Sequence, residues 1–271
     1  PPLLFLLPEQ ATFIHERQLA ASCVGGGFCR AEVSGFRRLV YRAYQREGIE
    51  PLTPLSEGGK LMLGAAVTAA CRDQLRVLAP AAGKRGFAGQ VMAAGEELAT
   101  YGISPDELDR AVEKLAAQDP TNHSVAKLRE IGVLYRAYRQ DHDGTYGSYR
   151  ENMEFLAQAI GSGFLGDTQV WIDGYNQFTP SERQVIGAML AACPQVTITL
   201  PLDAAQAEQV VSMESPFYPA WREYAALTEL ARQQGTAVDP PVLLDGSRGR
   251  FAQNPDLAAA HAWLTGPAPT P

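Results

Sequence analysis

Of 271 residues, 46% are hydrophobic and 20% charged, enough to bury a real core and too apolar for a chain disordered along its whole length. With 23 basic against 30 acidic residues the net charge is −7, which excludes a polycation; any nucleic-acid contact must rest on a local basic patch. No apolar run reaches the ~18 residues of a membrane helix, and Cys23, Cys29, Cys71 and Cys193 match neither a zinc spacing nor a disulfide framework. The expectation is a soluble, cytoplasmic protein with reduced thiols, no membrane contact and no metal site of its own.

In chain order, Leu3–Leu7 is a continuous apolar run between prolines, which predicts a strand buried on both faces rather than a signal peptide, since no basic leader or cleavage site accompanies it. A helix is expected from about Ala11 to Ala21, then a glycine break at 25–27 and a short strand at Ala31–Val33. Phe36, Leu39, Val40, Ala43 and Tyr44 form one apolar helical stripe, with Ser34 as its N-cap and Gly48 as its stop. Residues 55–160 read as wholly helical, broken at Gly83, Gly86, Tyr101-Gly102 and Asp119-Pro120, with Ser104-Pro-Asp-Glu107 opening a helix.

Strand signals return at Thr168–Asp173. Thr179-Pro-Ser-Glu182 starts a helix to about Ala192, Val196–Leu200 is a strand, a helix covers Trp221–Gln233, and Val242–Leu244 is a short strand. This order predicts an α/β fold with a parallel sheet interrupted by a helical subdomain. The divisions are 1–54 and 161–265 for the sheet domain, 55–160 for the insertion, and a Pro-rich tail at 266–271. A chain that lacks a starting Met and opens on Pro-Pro reads as a piece of something longer.

Three stretches carry chemistry. In Val170-Trp-Ile-Asp173-Gly174 an apolar strand ends in an acid, as NTPases present a carboxylate to nucleotide-bound Mg²⁺. Yet Gly174 stands where an active motor has a water-positioning Glu, and Asp-Gly is also a common turn. No phosphate loop of the form GxxxxGK[ST] exists; Gly59-Lys60 and Gly83-Lys84 have the wrong surroundings. Residues 30–46 hold five arginines against Glu32, net +4, and place Arg38, Tyr41 and Arg42 off the apolar stripe. Guanidinium groups beside an aromatic ring suit phosphate pairing and base stacking, and equally a solvated helix face. After the first strand, Gln10 and Thr12 could bond a base edge or phosphate, or merely cap a helix. No catalytic role is assigned to any residue, the four scattered histidines included.

Together the stretches 5–20, 31–48, 54–60, 101–108 and 170–182 resemble, in order, the AddB family, the B component of the bacterial AddAB (RexAB) helicase–nuclease. The resemblance implies a RecA-like domain of superfamily 1 helicase type interrupted by a helical 1B-like insertion. In the family the phosphate loop lies upstream of the Leu3–Leu7 strand, and the nuclease domain with its 4Fe-4S cysteines lies beyond Pro271; ATP and Mg²⁺ thus belong to the whole protein. It also implies an inactivated motor that grips the 3′-ended single DNA strand, recognises Chi and pairs with an AddA-type helicase–nuclease. Carried over by motif, the strand-contacting residues are Gln10, Thr12, Phe36, Arg38 and Tyr41, with Phe178 or Tyr175 from the loop after the eroded acid motif Asp173-Gly174. Tyr41 stands where relatives carry Trp. Two alternatives remain: a working DNA-stimulated ATPase, and an architectural module that docks a partner without touching DNA.

Overall fold

The computed structural model describes residues 1–84, 86–202, 211–242 and 254–265. They fold into two compact units: 1–172 with 178–197, and 173–177 with the residues from 198 onward. In the first, β1 (Leu3–Leu6), β2 (Ala31–Ser34), β3 (Gln169–Ile172) and β4 (Val196–Ile198) form a sheet in the order β2-β1-β3-β4. β1 runs parallel to both neighbours, pairing Leu6 with Ser34 on one side and with Ile172 on the other. Parallel neighbours require long crossovers. The first contains α1 (Thr12–Ser22); the crossover from β2 to β3 carries α2 (Phe36–Glu47) and the whole helical segment.

Alternate residues of the central strands face opposite ways. Leu4, Leu6, Val170 and Ile172 are completely buried, whereas Leu3 and Phe5 are half-buried and the Phe5 ring stacks on half-exposed Trp171 at 6.3 Å. The expectation of a strand buried on both faces thus holds for one face only. The other carries an aromatic pair with an open side.

α2 buries the expected stripe, Phe36, Leu39, Val40 and Ala43, and ends at Gly48, whose φ of +66° is the left-handed stop a glycine permits. Tyr44 extends the stripe by stacking on Phe155 at 3.9 Å. The expected cap is corrected: Gly35, not Ser34, is the N-cap. Pairing with Leu6 keeps Ser34 in the strand, and its hydroxyl donates only to the Gly35 carbonyl.

The segment after α2 is helical as expected: α3 (Glu57–Ala70), α4 (Ala79–Ala82), α5 (Phe87–Thr100), α6 (Pro105–Gln118), α7 (Ser124–His142) and α8 (Tyr149–Gly161). Ser104 and Glu107 close a reciprocal capping box on α6. The segment has its own core, including Val67, Phe87, Val91, Met92, Leu134, Tyr135 and Tyr138. Glu130 of α7 is buried in it, and its carboxylate accepts the backbone N–H groups of Arg76, Val77 and Leu78, each at 2.8 Å, at the entry to α4. α9 (Pro180–Ala192), opened by the Thr179–Glu182 capping box, packs against α8.

The second unit contains α10 (Tyr218–Gln233) and α11 (Pro255–Thr265). Of the strand expected at 242–244, Val242 is exposed and irregular and the remainder lies outside the described residues, as does the tail 266–271.

All four cysteines are free. Burial raises the Cys71 thiol and pushes Cys193 up to about 11, whereas Cys29 is exposed. Because the thiolate is the reactive form, titration of the native protein with a thiol reagent at pH 8 should modify Cys29 first and Cys71 and Cys193 only on unfolding. Equal rates at all four would contradict the burial seen here.

Candidate nucleic-acid interface

The turn that leaves β1 and the helix that leaves β2 emerge from the same edge of the sheet and are joined by one carboxylate. Glu9 begins a single 3-10 turn, Glu9–Ala11, and its Oε1 accepts the Arg37 backbone N–H at 2.9 Å. A Cβ on Gly35 would lie 2.3 Å from the Glu9 carboxyl carbon, so glycine at the N-cap is what lets the acid approach. An anion at the positive end of α2 satisfies a donor the helix leaves open. The contact holds the turn bearing exposed Gln10 beside the first turn of α2. Thr12 donates its hydroxyl to the Glu9 carbonyl at 2.9 Å, which fixes the same turn.

Along α2 the stripe faces inward and the basic residues face out. Arg38 is exposed, with Nη1 donating to the Val33 carbonyl at 3.2 Å, and Tyr41 next to it is 58% exposed. Arg42 pairs with Glu32 of β2. One turn further, Arg46 donates to the Gly163 carbonyl at 2.8 Å, and the guanidinium groups of Arg42 and Arg46 each lie 5.7 Å from the Phe164 ring centre. Among the described residues Arg37, Arg38 and Arg46 pair with no carboxylate, while in the helical segment Arg129, Arg136, Arg139 and Arg150 all do. Exposed ion pairs add little stability, but they cancel charge, so Arg38 and Arg46 keep theirs on the outer face of α2.

Sequence reading brought Gln10, Thr12, Arg38, Tyr41 and Arg42 to this face, and the structure places them on neighbouring turns of the first unit. Phe36 and Phe178 are instead core residues, 3% and 4% exposed. Phe36 begins the buried stripe. Phe178 directly precedes the α9 cap, and its carbonyl accepts from Arg183 Nη1 at 2.8 Å. Sequence reasoning passed over Glu9 as a helix cap, and Phe164 altogether. Arg46 was counted as charge only, although its place at i+8 from Arg38 puts it on the same face.

In the second unit, Asp173 accepts a hydrogen bond from the Thr199 hydroxyl, Tyr175 is half-buried, and Gly174 has φ +80°. That left-handed backbone strains any residue with a Cβ, so a glutamate here would carry a conformational penalty. Gly174 therefore serves the turn. One carboxylate and one hydroxyl do not make a Mg²⁺–ATP site. Among the described residues, which include all four cysteines, no three His, Cys, Asp or Glu side chains gather to hold a metal, so these residues do not fit an iron–sulfur cluster. Among the described residues no helix is long and apolar enough to cross a membrane.

The fold and site thus define an α/β protein with a parallel sheet, a helical segment with its own core, and an arginine-rich helix beside the sheet edge. A family model described as "ADDB, N-terminal" matches residues 1–260, and the chain belongs to that family. It is 36% identical over 95% of its length to the B subunit of the ATP-dependent helicase/deoxyribonuclease of Heliobacterium modesticaldum, covering 21% of that protein. Identity is also 36% to the protein of the same name from Desulforudis audaxviator, with 95% of this chain and 22% of the relative covered. For Moorella thermoacetica it is 36%, with 97% and 23% covered. The chain spans about a fifth of the length of these curated relatives.

Proposed function

We propose that this chain is the strand-gripping module of the B subunit in an ATP-dependent helicase/deoxyribonuclease that processes broken DNA ends, working beside an AddA-type helicase–nuclease. In this reading the sheet is a RecA-like domain, α3–α8 its 1B-like insertion, and the module has lost motor chemistry. It holds the 3′-ended single strand and takes part in recognising Chi; ATP, Mg²⁺ and the iron–sulfur cluster belong to other parts of the complex. The observation that carries the reading is the outer face of α2: Arg38 without an acidic partner, next to exposed Tyr41, in a chain whose net charge is −7. Arginine pairs with phosphate, and a solvated aromatic ring offers a face on which any base can stack. Gln10, on the turn that Glu9 ties to α2, has an amide suited to a base edge, and Thr12 holds that turn. Phe36, buried at the start of the stripe, supports the α2 face from beneath.

Fluorescence anisotropy of a labelled single strand, titrated with the full-length protein over a series of salt concentrations, tests this. Arg38→Ala and Tyr41→Ala should each weaken binding by about 1 kcal/mol, roughly fivefold. The Arg38 change should also flatten the logarithmic salt dependence by about 0.7, the loss of one phosphate contact on a single strand. Tyr41→Trp should bind at least as tightly as the parent. Unchanged affinity in both alanine variants would leave α2 a solvated face and favour the architectural reading.

A further inference from the structure

Beyond the Arg38–Tyr41 patch, we propose that the single-strand track continues one turn along α2 to a second contact, in which Arg42 and Arg46 lie by Phe164 and a nucleotide is held by phosphate pairing to Arg46 and stacking on the part of the half-buried Phe164 ring they leave open. This rests on the strand-gripping reading and lengthens it. Arg38, Arg42 and Arg46 recur at i, i+4 and i+8, one stripe about 12 Å long from first to last. Both later guanidinium groups sit 5.7 Å from the same ring centre, within the range of cation–π attraction. Arg42 is neutralised by Glu32, whereas Arg46 is anchored by a neutral carbonyl, that of Gly163, which leaves its charge for a phosphate. The anchor orients the guanidinium without cancelling it. Phe164 comes from the loop between α8 and β3, so two elements distant in sequence build the contact. The chemistry asked of the partner is a polyanion with flat apolar faces at regular spacing, which is single-stranded nucleic acid rather than an acidic peptide.

The full-length protein, with Arg46→Ala, Phe164→Ala and Arg38→Ala compared in parallel, would be titrated with a normal oligonucleotide and with one carrying abasic positions. Arg46→Ala should weaken binding severalfold and flatten the salt dependence by about 0.7. Phe164→Ala should weaken binding of the normal strand fivefold or more and have little effect on the abasic one, a difference that mere loosening of the loop would not produce. Phe164→Trp, which keeps a ring at that position, should bind as the parent does, and Phe164→Leu, which fills the space without a ring, is the variant to use if alanine impairs folding. If Arg38→Ala weakens binding while Arg46→Ala and the ring-free Phe164 variant leave affinity and salt dependence at parent values on every strand, the second contact is overturned and the first stands. If Arg38→Ala is also silent, the strand-gripping reading falls with it.

Discussion

Glu130→Gln is expected to lower the stability of the protein by about 3 kcal/mol at neutral pH, although it changes one buried atom and no volume. Burial alone would raise the Glu130 carboxyl, but the backbone N–H groups of Leu78, Val77 and Arg76 outweigh it, and with the Arg76 charge they hold it below its ordinary value. One carboxylate oxygen accepts from Arg76 and Val77, the other from Leu78. A glutamine can reproduce the first pair, but its NH2 then faces the Leu78 N–H, donor against donor. Hydrogen bonds to a charged acceptor are the strong ones, and a stranded buried donor pays its full desolvation cost. The sign of the pH dependence follows from the lowered value. Glu130 contributes stability that is fully present above the ordinary carboxyl range and is lost as pH falls through its folded-state value. Urea unfolding between pH 3 and 7 should therefore show the gap between parent and variant shrinking towards the acid end. A gap that stays constant with pH would mean that shape rather than charge is what Glu130 supplies.

Glu130 also marks the limit of what the sequence could disclose. A glutamate on a helix reads as a solvated residue, and nothing near it announces three donors more than fifty positions away. Local signals were legible: the stretches Ser104–Glu107 and Thr179–Glu182 open helices where expected, and each pair, three apart, closes a capping box. The α2 stripe was legible too, and with it the outward direction of Arg38, Tyr41 and Arg42, because a helix that buries one face must expose the other. Phe36 belonged to the stripe as well as to the motif carried over from the family, and burial decides for the stripe in this chain. What failed was everything set by tertiary neighbours. Ser34 has the chemistry of a cap, but strand pairing reached it first, and the acid that stands in for it, Glu9, lies 28 residues away from the N–H it accepts. Phe178 lies in a polar Gly- and Asn-containing loop that resembles a ligand loop, and only the packing at the start of α9 shows that it is enclosed.

Arginines of α7 and α8 and those of the α2 face are partnered differently, and this contrast would be invisible in a composition count. Arg129 meets Glu113, Arg136 meets Asp106 and Asp109, and Arg150 meets Glu154, so the charges of these arginines are compensated where they stand. Three of the four arginines of α2 have no such partner among the described residues. Like charges at i and i+4 on one helix face repel; the Arg42–Glu32 pair interrupts the row between Arg38 and Arg46, and the phosphates of the proposed strand would offset the repulsion left. On the proposed reading salt sensitivity resides on α2, and neutralising Arg129, Arg136 or Arg150 should leave strand binding almost unchanged.

Gly64→Ala should destabilise the protein even though alanine is the better helix former. In the interior of α3 the exchange gains about 1 kcal/mol of helix propensity. Against that, a Cβ at position 64 would lie 2.3 Å from the Ala88 carbonyl oxygen and 2.9 Å from its carbon, with Met92 Cγ at 3.0 Å. Those two nearest atoms are backbone of α5, so no side chain can rotate away, and relief requires α3 and α5 to separate. Separation loosens the contacts of Val67 on one helix and of Val91 and Met92 on the other, all in the core of the segment. Overpacking of this kind costs about 1–3 kcal/mol, and more when the clash is with backbone, so the steric effect exceeds the propensity and the urea midpoint should fall. Gly58→Ala is the internal control: the same helix, with only the Ser56 hydroxyl at 4.0 Å from the new methyl group, so its midpoint should hold or rise. Gly89→Ala on the facing helix would meet only the tip of Leu61 at 3.4 Å and should be tolerated. If Gly64→Ala behaves like Gly58→Ala, then α3 and α5 do not approach as closely as the structure has them, and the core built on that approach must be arranged differently.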